Sequence, residues 1–381
     1  MIVLDKSHPN YRQCSLSVMD NIADPDITFD EKGICNYYYE YLKAEKELVV
    51  HGDEGLCIYN SVIENIKKDG RGKKYDCILG VSGGVDSTYL AYLAKQANLR
   101  VLCVHFDNGW NSELAVKNVQ NLIELLGFDL HTLVVDWAEF KDVQLSLLKA
   151  SVVDLESVTD LAISSTLLKL AIKFKTNYIL SGNNIVTENV LPSSWVFKDV
   201  KNIIDIQNKF GTKKIKTLPL LNRKKMSRIK FLHKIQFVEL LNFVVYNKTD
   251  VKKVIIEELG WRDYGGKHYE SVFTRFYQGY ILPNKFKIDK RKAHLSNLIF
   301  SGQISKDDAL IELAEPMIMD EILTKDRLFV IKKLGLTEFE FLEFMNQPQI
   351  PHKHYDYTKP FFEEYKFLKS LKPIWKWLKK K

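Results

Sequence analysis

Between residues 75 and 190, short apolar runs alternate with longer segments in which apolar residues recur every three or four positions. The apolar runs predict four strands, at residues 77–81, 101–106, 130–135 and 178–181. The periodic segments predict helices at residues 87–96, 116–126 and 160–174. Because continuous apolar strands that alternate with helices are buried on both faces, the pattern predicts an α/β fold with a parallel sheet.

The flanking regions follow other patterns. Residues 1–50 are polar and irregular, and we expect an extension that ends in a helix. Residues 191–300 are rich in aromatic and basic side chains, and from about residue 301 the chain is predicted to be mostly helical. We therefore predict an N-terminal extension (1–60), a nucleotide-binding domain (61–220) and a mostly helical substrate or partner region (221–381).

Composition adds little except on charge and location. The chain has 381 residues, 46% of them hydrophobic and 27% charged, as in ordinary globular proteins. A net charge of +7 suits an anionic substrate and is too weak to indicate nucleic acid. No apolar run is long enough to cross a bilayer, and the first ten residues lack a signal-peptide core, so we expect a cytoplasmic protein.

A glycine-rich loop lies between the first predicted strand and helix, with the sequence Gly80-Val-Ser-Gly-Gly-Val-Asp-Ser87. Gly83 and Gly84 allow positive φ and a close approach of backbone N–H groups, and these groups and the following helix N-terminus form an anion-binding nest. The alternative is a plain glycine turn. The predicted nucleotide-binding residues are Gly80, Val81, Ser82, Gly83, Gly84, Asp86 and Ser87, with Asp86 also a magnesium ligand.

The loop matches neither the Walker A nor the dinucleotide-binding fingerprint. It resembles the PP-loop of the ATP-pyrophosphatases. The resemblance implies an adenine nucleotide alpha hydrolase-like (HUP) fold and the use of ATP with Mg²⁺, with cleavage between the α- and β-phosphates.

Polar residues also follow two other predicted strands. His105, Asp107 and Asn108 come after the second strand and suit contacts to ribose or adenine, although an ordinary strand exit is the alternative. After the fourth strand, Gly182 is predicted to contact the nucleotide. Glu188 is predicted to hold Mg²⁺ or orient the nucleophile, unless it is simply an acid at a helix N-terminus.

Longer stretches resemble the bacterial N-acetyl sugar amidotransferases of surface-polysaccharide pathways. The matching stretches are residues 24–30, the loop, residues 180–195, residues 260–271, and residues 274–283 through 287–296. The resemblance implies that an acetamido group on a UDP-linked sugar is adenylated and then attacked by ammonia, which gives an acetamidino group in O-antigen or lipopolysaccharide biosynthesis.

Candidate residues for that chemistry follow from these stretches. The predicted catalytic residues are Asp86, Glu188, Lys290 and Arg291. The predicted substrate-binding residues are Asn183, Asn184, Thr187, Trp195, Lys267, His268, Glu270, Arg275, Lys287 and His294. Their basic members interleave with aromatic residues and can bind a diphosphate or carboxylate, although a solvated charged face is the alternative.

The chain departs from the family in its cysteines. Relatives carry two Cys-x-x-Cys pairs, whereas here the pairs read Cys14-Ser-Leu-Ser17 and Cys35-Asn-Tyr-Tyr38. Two thiolates do not close a tetrahedral site, so we predict no structural zinc. We also find no glutaminase signature. The resemblance then implies a separate glutaminase subunit and a separate ammonia-channelling, cyclase-like subunit.

The last residues form a basic, amphipathic pattern, since residues 365–381 hold seven lysines and no acid. A packed terminal helix, partner docking and peripheral membrane contact are all compatible with it. Two other functions also stay open: a PP-loop enzyme that modifies tRNA, and a non-catalytic nucleotide-binding subunit. The lack of cysteines after Cys103 counts against tRNA thiolation, and intact Asp86 and Ser87 count against a dead site.

Overall fold

The structure is a computed structural model that describes residues 7–266 and 269–359. Five parallel strands form one sheet in the order β3-β2-β1-β4-β5. The strands are β1 Cys77–Gly80, β2 Val101–Asp107, β3 Asp129–Val134, β4 Tyr178–Leu180 and β5 Gln236–Val238. The predicted α/β fold with a parallel sheet is confirmed.

The first helices flank and connect these strands. They are α1 Asn36–Leu48, α2 Gly52–Asp69, α3 Val85–Gln96, α4 Glu113–Leu126, α5 Trp137–Lys149 and α6 Ser157–Phe174. Helices α3, α4 and α6 each begin two or three residues before the predicted start. In α4 the reason is its N-cap. The Ser112 hydroxyl accepts a hydrogen bond from the Ala115 N–H, so the helix begins at Glu113, before the periodic apolar pattern.

The rest of the described chain is mostly helical, as predicted. The α-helices are α7 Ile185–Glu188, α8 Val200–Phe210, α9 Arg223–Leu232, α10 Lys248–Leu259, α11 Val272–Phe276, α12 Arg291–Phe300, α13 Lys306–Ala314, α14 Asp320–Leu334 and α15 Glu338–Asn346. A π-helix, Tyr277–Phe286, continues α11. Short 3-10 helices lie at Ser193–Trp195, Leu240–Phe243 and His352–His354.

Strand β5 was not predicted. It has only three residues, two of them exposed, and it lies in a segment without a clear apolar pattern. It pairs in parallel with β4, which makes it an edge strand. Because β5 comes after residue 220, the sheet extends beyond the predicted end of the nucleotide-binding domain.

Apolar side chains pack on both sheet faces. Leu79 and Cys103 face a core that includes residues of α3, α4 and α10, while Ile78 and Leu102 face residues of α6. A third core joins α5, α8, the π-helix and α14 with the N-terminal segment, including Cys14 and Met19. The N-terminal extension is therefore packed into the body of the protein rather than standing apart from it.

Candidate functional site

The glycine-rich loop lies at the carboxyl end of β1 and leads directly into α3. Gly83 has φ of +82°, and a Cβ added there would lie 2.7 Å from the Ala115 carbonyl oxygen. Only glycine fits this backbone. Gly84, the N-cap of α3, has φ of −75°, so of the two glycines only Gly83 uses positive φ. Its Cβ would instead meet the Ser82 hydroxyl at 3.0 Å.

The loop keeps its shape through its own serines. The Gly84 N–H donates to the Ser82 hydroxyl at 3.2 Å, and the Ser87 hydroxyl donates to the Gly84 carbonyl at 3.3 Å. The first N–H groups of α3 have no partner within the helix and point out of its N-terminus. This geometry suits an anion such as a nucleotide phosphate.

Asp86, in the first turn of α3, is held by two side chains from distant segments. The Tyr246 hydroxyl and the Asn184 amide both donate to its Oδ1, the amide at 3.4 Å. Burial and the charge of Asp86 raise the pKa of Tyr246 well above its usual value, and Glu188 adds to that shift. Both predicted magnesium ligands, Asp86 and Glu188, thus lie near one tyrosine hydroxyl.

The exit of β4 packs against the loop. A Cβ on Gly182 would lie 3.3 Å from the Ser87 backbone nitrogen, so a small residue is needed for this approach. Asn184 caps α7 by accepting from the Thr187 N–H at 2.9 Å and the Thr187 hydroxyl at 3.0 Å. Asn184 and Thr187 are buried, whereas Asn183 is exposed. The structure therefore brings this predicted group beside the loop.

The exit of β2 is also tied to the loop. His105 Nδ1 lies 2.9 Å from the Val81 carbonyl, which makes Nδ1 the donor, and Nε2 accepts from the Asn111 amide at 3.0 Å. Asn111 also donates to Asp107 at 3.3 Å. Both ring nitrogens of His105 are thus hydrogen-bonded within the protein. Asp107 and Asn108 lie at the same carboxyl edge of the sheet.

Trp261, Tyr264 and Glu270 contact the loop from the other side. The Trp261 indole donates to the Gly83 carbonyl at 2.8 Å, and the Tyr264 hydroxyl and Glu270 carboxylate both lie within 4 Å of where a Gly84 Cβ would be. The Ser112 N–H donates to the Glu270 carbonyl at 2.8 Å, which fixes the segment against α4. Glu270, predicted to bind substrate, is therefore beside the phosphate loop.

Several predicted basic residues hold the fold instead. Arg275 forms two hydrogen bonds to the Asp326 carboxylate, at 2.6 and 2.8 Å. Arg291 bonds Asp289 and the carbonyls of residues 312, 313 and 315 at the end of α13. These donors are already used within the protein, so the structure gives no support to a catalytic Arg291 or a substrate-binding Arg275.

Other predicted substrate-binding residues also contact the protein itself. The Lys287 ammonium donates to the Asn284 carbonyl at 3.1 Å, and His294 pairs with Lys248 at 2.8 Å. The Trp195 indole is buried and donates to the Ala23 carbonyl at 2.8 Å. Lys267 and His268 lie outside the described residues, so their predicted role is untouched by the structure.

Two lysines, Lys290 and Lys198, interact with the charge of the buried Asp154. The Lys290 ammonium, predicted to be catalytic, is 5.9 Å from the centre of the Tyr277 ring and near the buried Asp154. Lys198 was not predicted. It pairs with Asp160 at 2.8 Å. Burial lowers the pKa of Lys198, but Asp160, Asp154 and Glu188 together outweigh that effect and raise it.

Sequence reasoning missed three aromatic residues around the loop. Trp261 and Tyr264 lie within residues 260–271, one of the stretches that resemble the family, so the sequence could have indicated them. Tyr246 stands in a segment without clear periodicity. Nothing in the sequence near it indicates that it reaches a residue 160 positions away.

The degenerate cysteine pairs come together without forming a four-ligand site. The Cys35 N–H donates to Cys14 Sγ at 3.3 Å, and the Ser17 hydroxyl lies 4.0 Å from Cys35 Sγ. The hydrogen bond from Cys35 lowers the pKa of the Cys14 thiol. Among residues 7–266 and 269–359, no group of three metal-ligating side chains is found. The part of the chain that the structure describes also has no helix that is long and apolar enough to cross a membrane.

Two protein families match parts of this chain. The family described as LPS biosynthesis protein WbpG-like, C-terminal domain, matches residues 270–372. The family described as Queuosine biosynthesis protein QueC matches residues 76–250. A similar protein, the uncharacterized protein MJ1599 of Methanocaldococcus jannaschii, is 24% identical over 326 residues, which cover 81% of this chain and 96% of that protein.

Two solved structures show a weaker likeness. NMN synthetase from Francisella tularensis is 17% identical with a TM-score of 0.29, over 47% of this chain and 70% of that chain. The predicted subunit of tRNA methyltransferase from Methanocaldococcus jannaschii is 11% identical with a TM-score of 0.27, over 48% and 75%. The phosphate loop at its strand end lies within the part of the chain that matches the QueC family, and the part that follows it in sequence matches the WbpG-like family.

Proposed function

We propose that this protein is the ATP-dependent synthetase component of a sugar amidotransferase that acts in lipopolysaccharide or O-antigen biosynthesis. The observation that carries the proposal is the union, in one chain, of the phosphate loop with a C-terminal segment of the WbpG-like family. The loop supports the use of ATP. The C-terminal match, by its description, supports a substrate from a lipopolysaccharide pathway.

The reaction we propose exchanges the oxygen of an acetamido group for nitrogen. The carbonyl oxygen of a UDP-linked N-acetyl sugar attacks the α-phosphorus of ATP, and pyrophosphate leaves. Ammonia then attacks the activated carbon, and AMP departs with the former carbonyl oxygen. Loss of a proton leaves the acetamidino sugar. The driving force is the replacement of a poor leaving group by AMP.

The described residues supply what this reaction needs. The N–H groups of the loop and of α3 bind the phosphates, and their fixed dipoles stabilise the charge that develops on pyrophosphate. The Asp86 and Glu188 carboxylates, which share the neighbourhood of Tyr246, would hold Mg²⁺ together with phosphate oxygens. Mg²⁺ suits this donor set because it is usually held by one or two carboxylates plus phosphate.

On the substrate side, the charges of Lys198 and Lys290 act on the buried Asp154, and the charge of Glu188 acts on Lys198. In our proposal the two lysines bind the anionic part of the sugar nucleotide, and Glu270 helps to position the acetamido group over the loop. Ammonia comes from a separate glutaminase subunit through a separate cyclase-like subunit. We place the reaction in the cytoplasm, where nucleotide sugars are made.

A second candidate is modification of tRNA. It is favoured by the match of residues 76–250 to a queuosine biosynthesis family. The absence of cysteines after Cys103 in the sequence argues against a thiolation variant of it.

The test is pyrophosphate release from ATP by purified protein with ammonium chloride. We expect release only with a particular UDP-linked acetamido sugar, together with AMP and a product one mass unit lighter. Release with bulk tRNA and none with any sugar would replace the proposal by the tRNA alternative. Equal release without any acceptor would contradict both.

A further inference from the structure

One stretch of the chain has an extreme charge bias. Residues 206–238 contain ten lysines and arginines and no aspartate or glutamate. For comparison, the whole chain has 55 basic and 48 acidic residues. A one-sided charge run of this length, over a folded helix and an edge strand, needs a partner or a solvated surface to balance it.

Helix α9, at the centre of this stretch, shows most of its surface to solvent. Only Met226 and Ile229 pack inward, against the core beside α6. Lys224, Arg228 and Phe231 are spaced at four and three residues, so they share one outward face. Phe231 is 83% exposed and the next residue, Leu232, is 65% exposed. The helix therefore presents an apolar tip within a basic surface.

The same edge of the sheet gathers further cations. Residues 231–235 lead into the amino end of β5, next to the segments that enter β1 and β4. The Lys73 ammonium donates to the Asn177 side chain at 2.6 Å, and that side chain donates to the His233 carbonyl at 3.1 Å. We call the resulting surface the basic edge. Its members are α9, Lys73, Lys173, Lys175 and Lys234, with Phe231 and Leu232 at its apolar tip.

Acids beside the basic edge are already bonded. Asp69 accepts from the Tyr178 hydroxyl at 2.9 Å, and Asp129 pairs with Lys74 at 3.1 Å. Asp76 is buried and pairs with Arg100. In the described structure, no ion pair is found for the cations of α9 itself.

We propose that the basic edge is a docking surface for an anionic lipid bilayer. Each lysine or arginine near such a surface adds attraction, and apolar side chains at its centre insert into the headgroup region. The adjacent Phe231 and Leu232 fit insertion better than RNA binding, because an aliphatic side chain offers no ring for base stacking. This inference does not depend on the proposed reaction.

Docking through the basic edge leaves the phosphate loop exposed to water. The basic edge lies at the amino ends of β4 and β5, while the phosphate loop lies at the carboxyl end of β1, and all strands are parallel. Docking through the apolar tip therefore turns the nucleotide-binding edge away from the bilayer, toward the aqueous phase. ATP and a nucleotide sugar have free access in that arrangement.

The test is sedimentation of the full chain with vesicles at about 0.15 M salt. We expect binding to vesicles with about one third phosphatidylglycerol and little binding to neutral phosphatidylcholine vesicles. Phe231→Ser with Leu232→Ser is expected to weaken partitioning at least about tenfold, since both side chains lose their apolar insertion. Lys224→Glu with Arg228→Glu is expected to have an effect of about the same size or larger.

Phe339→Ser is the matched control, because Phe339 is 70% exposed but lies among Glu338, Glu340 and Glu343. It should leave partitioning unchanged. Thermal melting of every variant checks the fold. Equal binding to neutral vesicles, or full binding by both α9 variants, would overturn the proposal. So would selective binding of single-stranded RNA that both α9 variants abolish.

Discussion

The sequence predicts functional residues both in the phosphate loop and in the basic segment from residue 267 to residue 294, but the described residues of the two regions differ in what they contact. Every predicted loop residue from Gly80 to Ser87 lies at one strand end. Of the basic segment, Glu270 reaches the loop, whereas Arg275 and Arg291 bind the protein itself. A loop motif carries its geometry within eight residues. The charged side chains of the basic segment instead bond to residues farther along the chain, such as Asp326 for Arg275, and the local sequence does not identify these partners.

The largest effect on activity is expected when the carboxylate of the loop, Asp86, is removed. Asp86→Asn keeps the size of the side chain and its contact with Asn184, but removes the charge proposed to hold Mg²⁺. We expect pyrophosphate release to fall at least about a thousandfold. Circular dichroism should show an unchanged melting curve. Activity near the wild-type level in a folded Asp86→Asn protein would remove Asp86 from the chemistry.

The second prediction tests whether the loop works through its backbone. Gly83→Ala places a Cβ at positive φ, 2.7 Å from the Ala115 carbonyl oxygen. We expect a loss of roughly 2 kcal/mol of unfolding free energy and about a hundredfold weaker ATP binding, measured by calorimetry. The control is Gly127→Ala, at φ of +66° with open space around it, which should cost about 1 kcal/mol and leave ATP binding intact. Equal effects at both positions would contradict the account.

The third prediction concerns the part of residues 261–272 that reaches the loop. Trp261→Phe removes the hydrogen bond to the Gly83 carbonyl and keeps most of the apolar contact. Because the loop then loses one restraint, we expect about a tenfold fall in kcat/KM for ATP. Trp137→Phe is the control, since Trp137 packs on Trp110 rather than on the loop. A similar fall in both variants would indicate a general packing effect.

The smallest effect on catalysis is expected at Arg275. Arg275→Met leaves Asp326 buried and unpaired, so unfolding free energy should fall by about 3 kcal/mol. Activity per folded molecule should change less than about twofold, because the arginine does not contact the crevice. Restoring stability with the double variant Arg275→Met, Asp326→Leu would support this structural role. A large rise in KM for the sugar without a loss of stability would instead place Arg275 in the site.

What the sequence predicts well is therefore local. The strands that form the centre of the sheet are continuous apolar runs, and the loop glycine Gly83 has a conformation that only glycine adopts easily. Strand β5 was not predicted because it has only three residues, two of them exposed, in a segment without a clear apolar pattern. The role of Tyr246 was not predicted because its hydrogen bond to Asp86 joins residues 160 positions apart and forms only in the folded chain. The sequence also did not show that Arg291 caps α13.

The proposed reaction requires that the acetamido oxygen of a nucleotide sugar is adenylated by ATP bound at the loop that contains Asp86. The most direct measurement is mass spectrometry of AMP formed from a sugar whose acetamido carbonyl carries a heavy oxygen isotope, with ammonium chloride as nitrogen donor. The account predicts that the label moves into AMP in step with pyrophosphate release, and that Asp86→Asn abolishes both. AMP formed without label, while the amidino sugar accumulates, would contradict adenylation of the substrate oxygen.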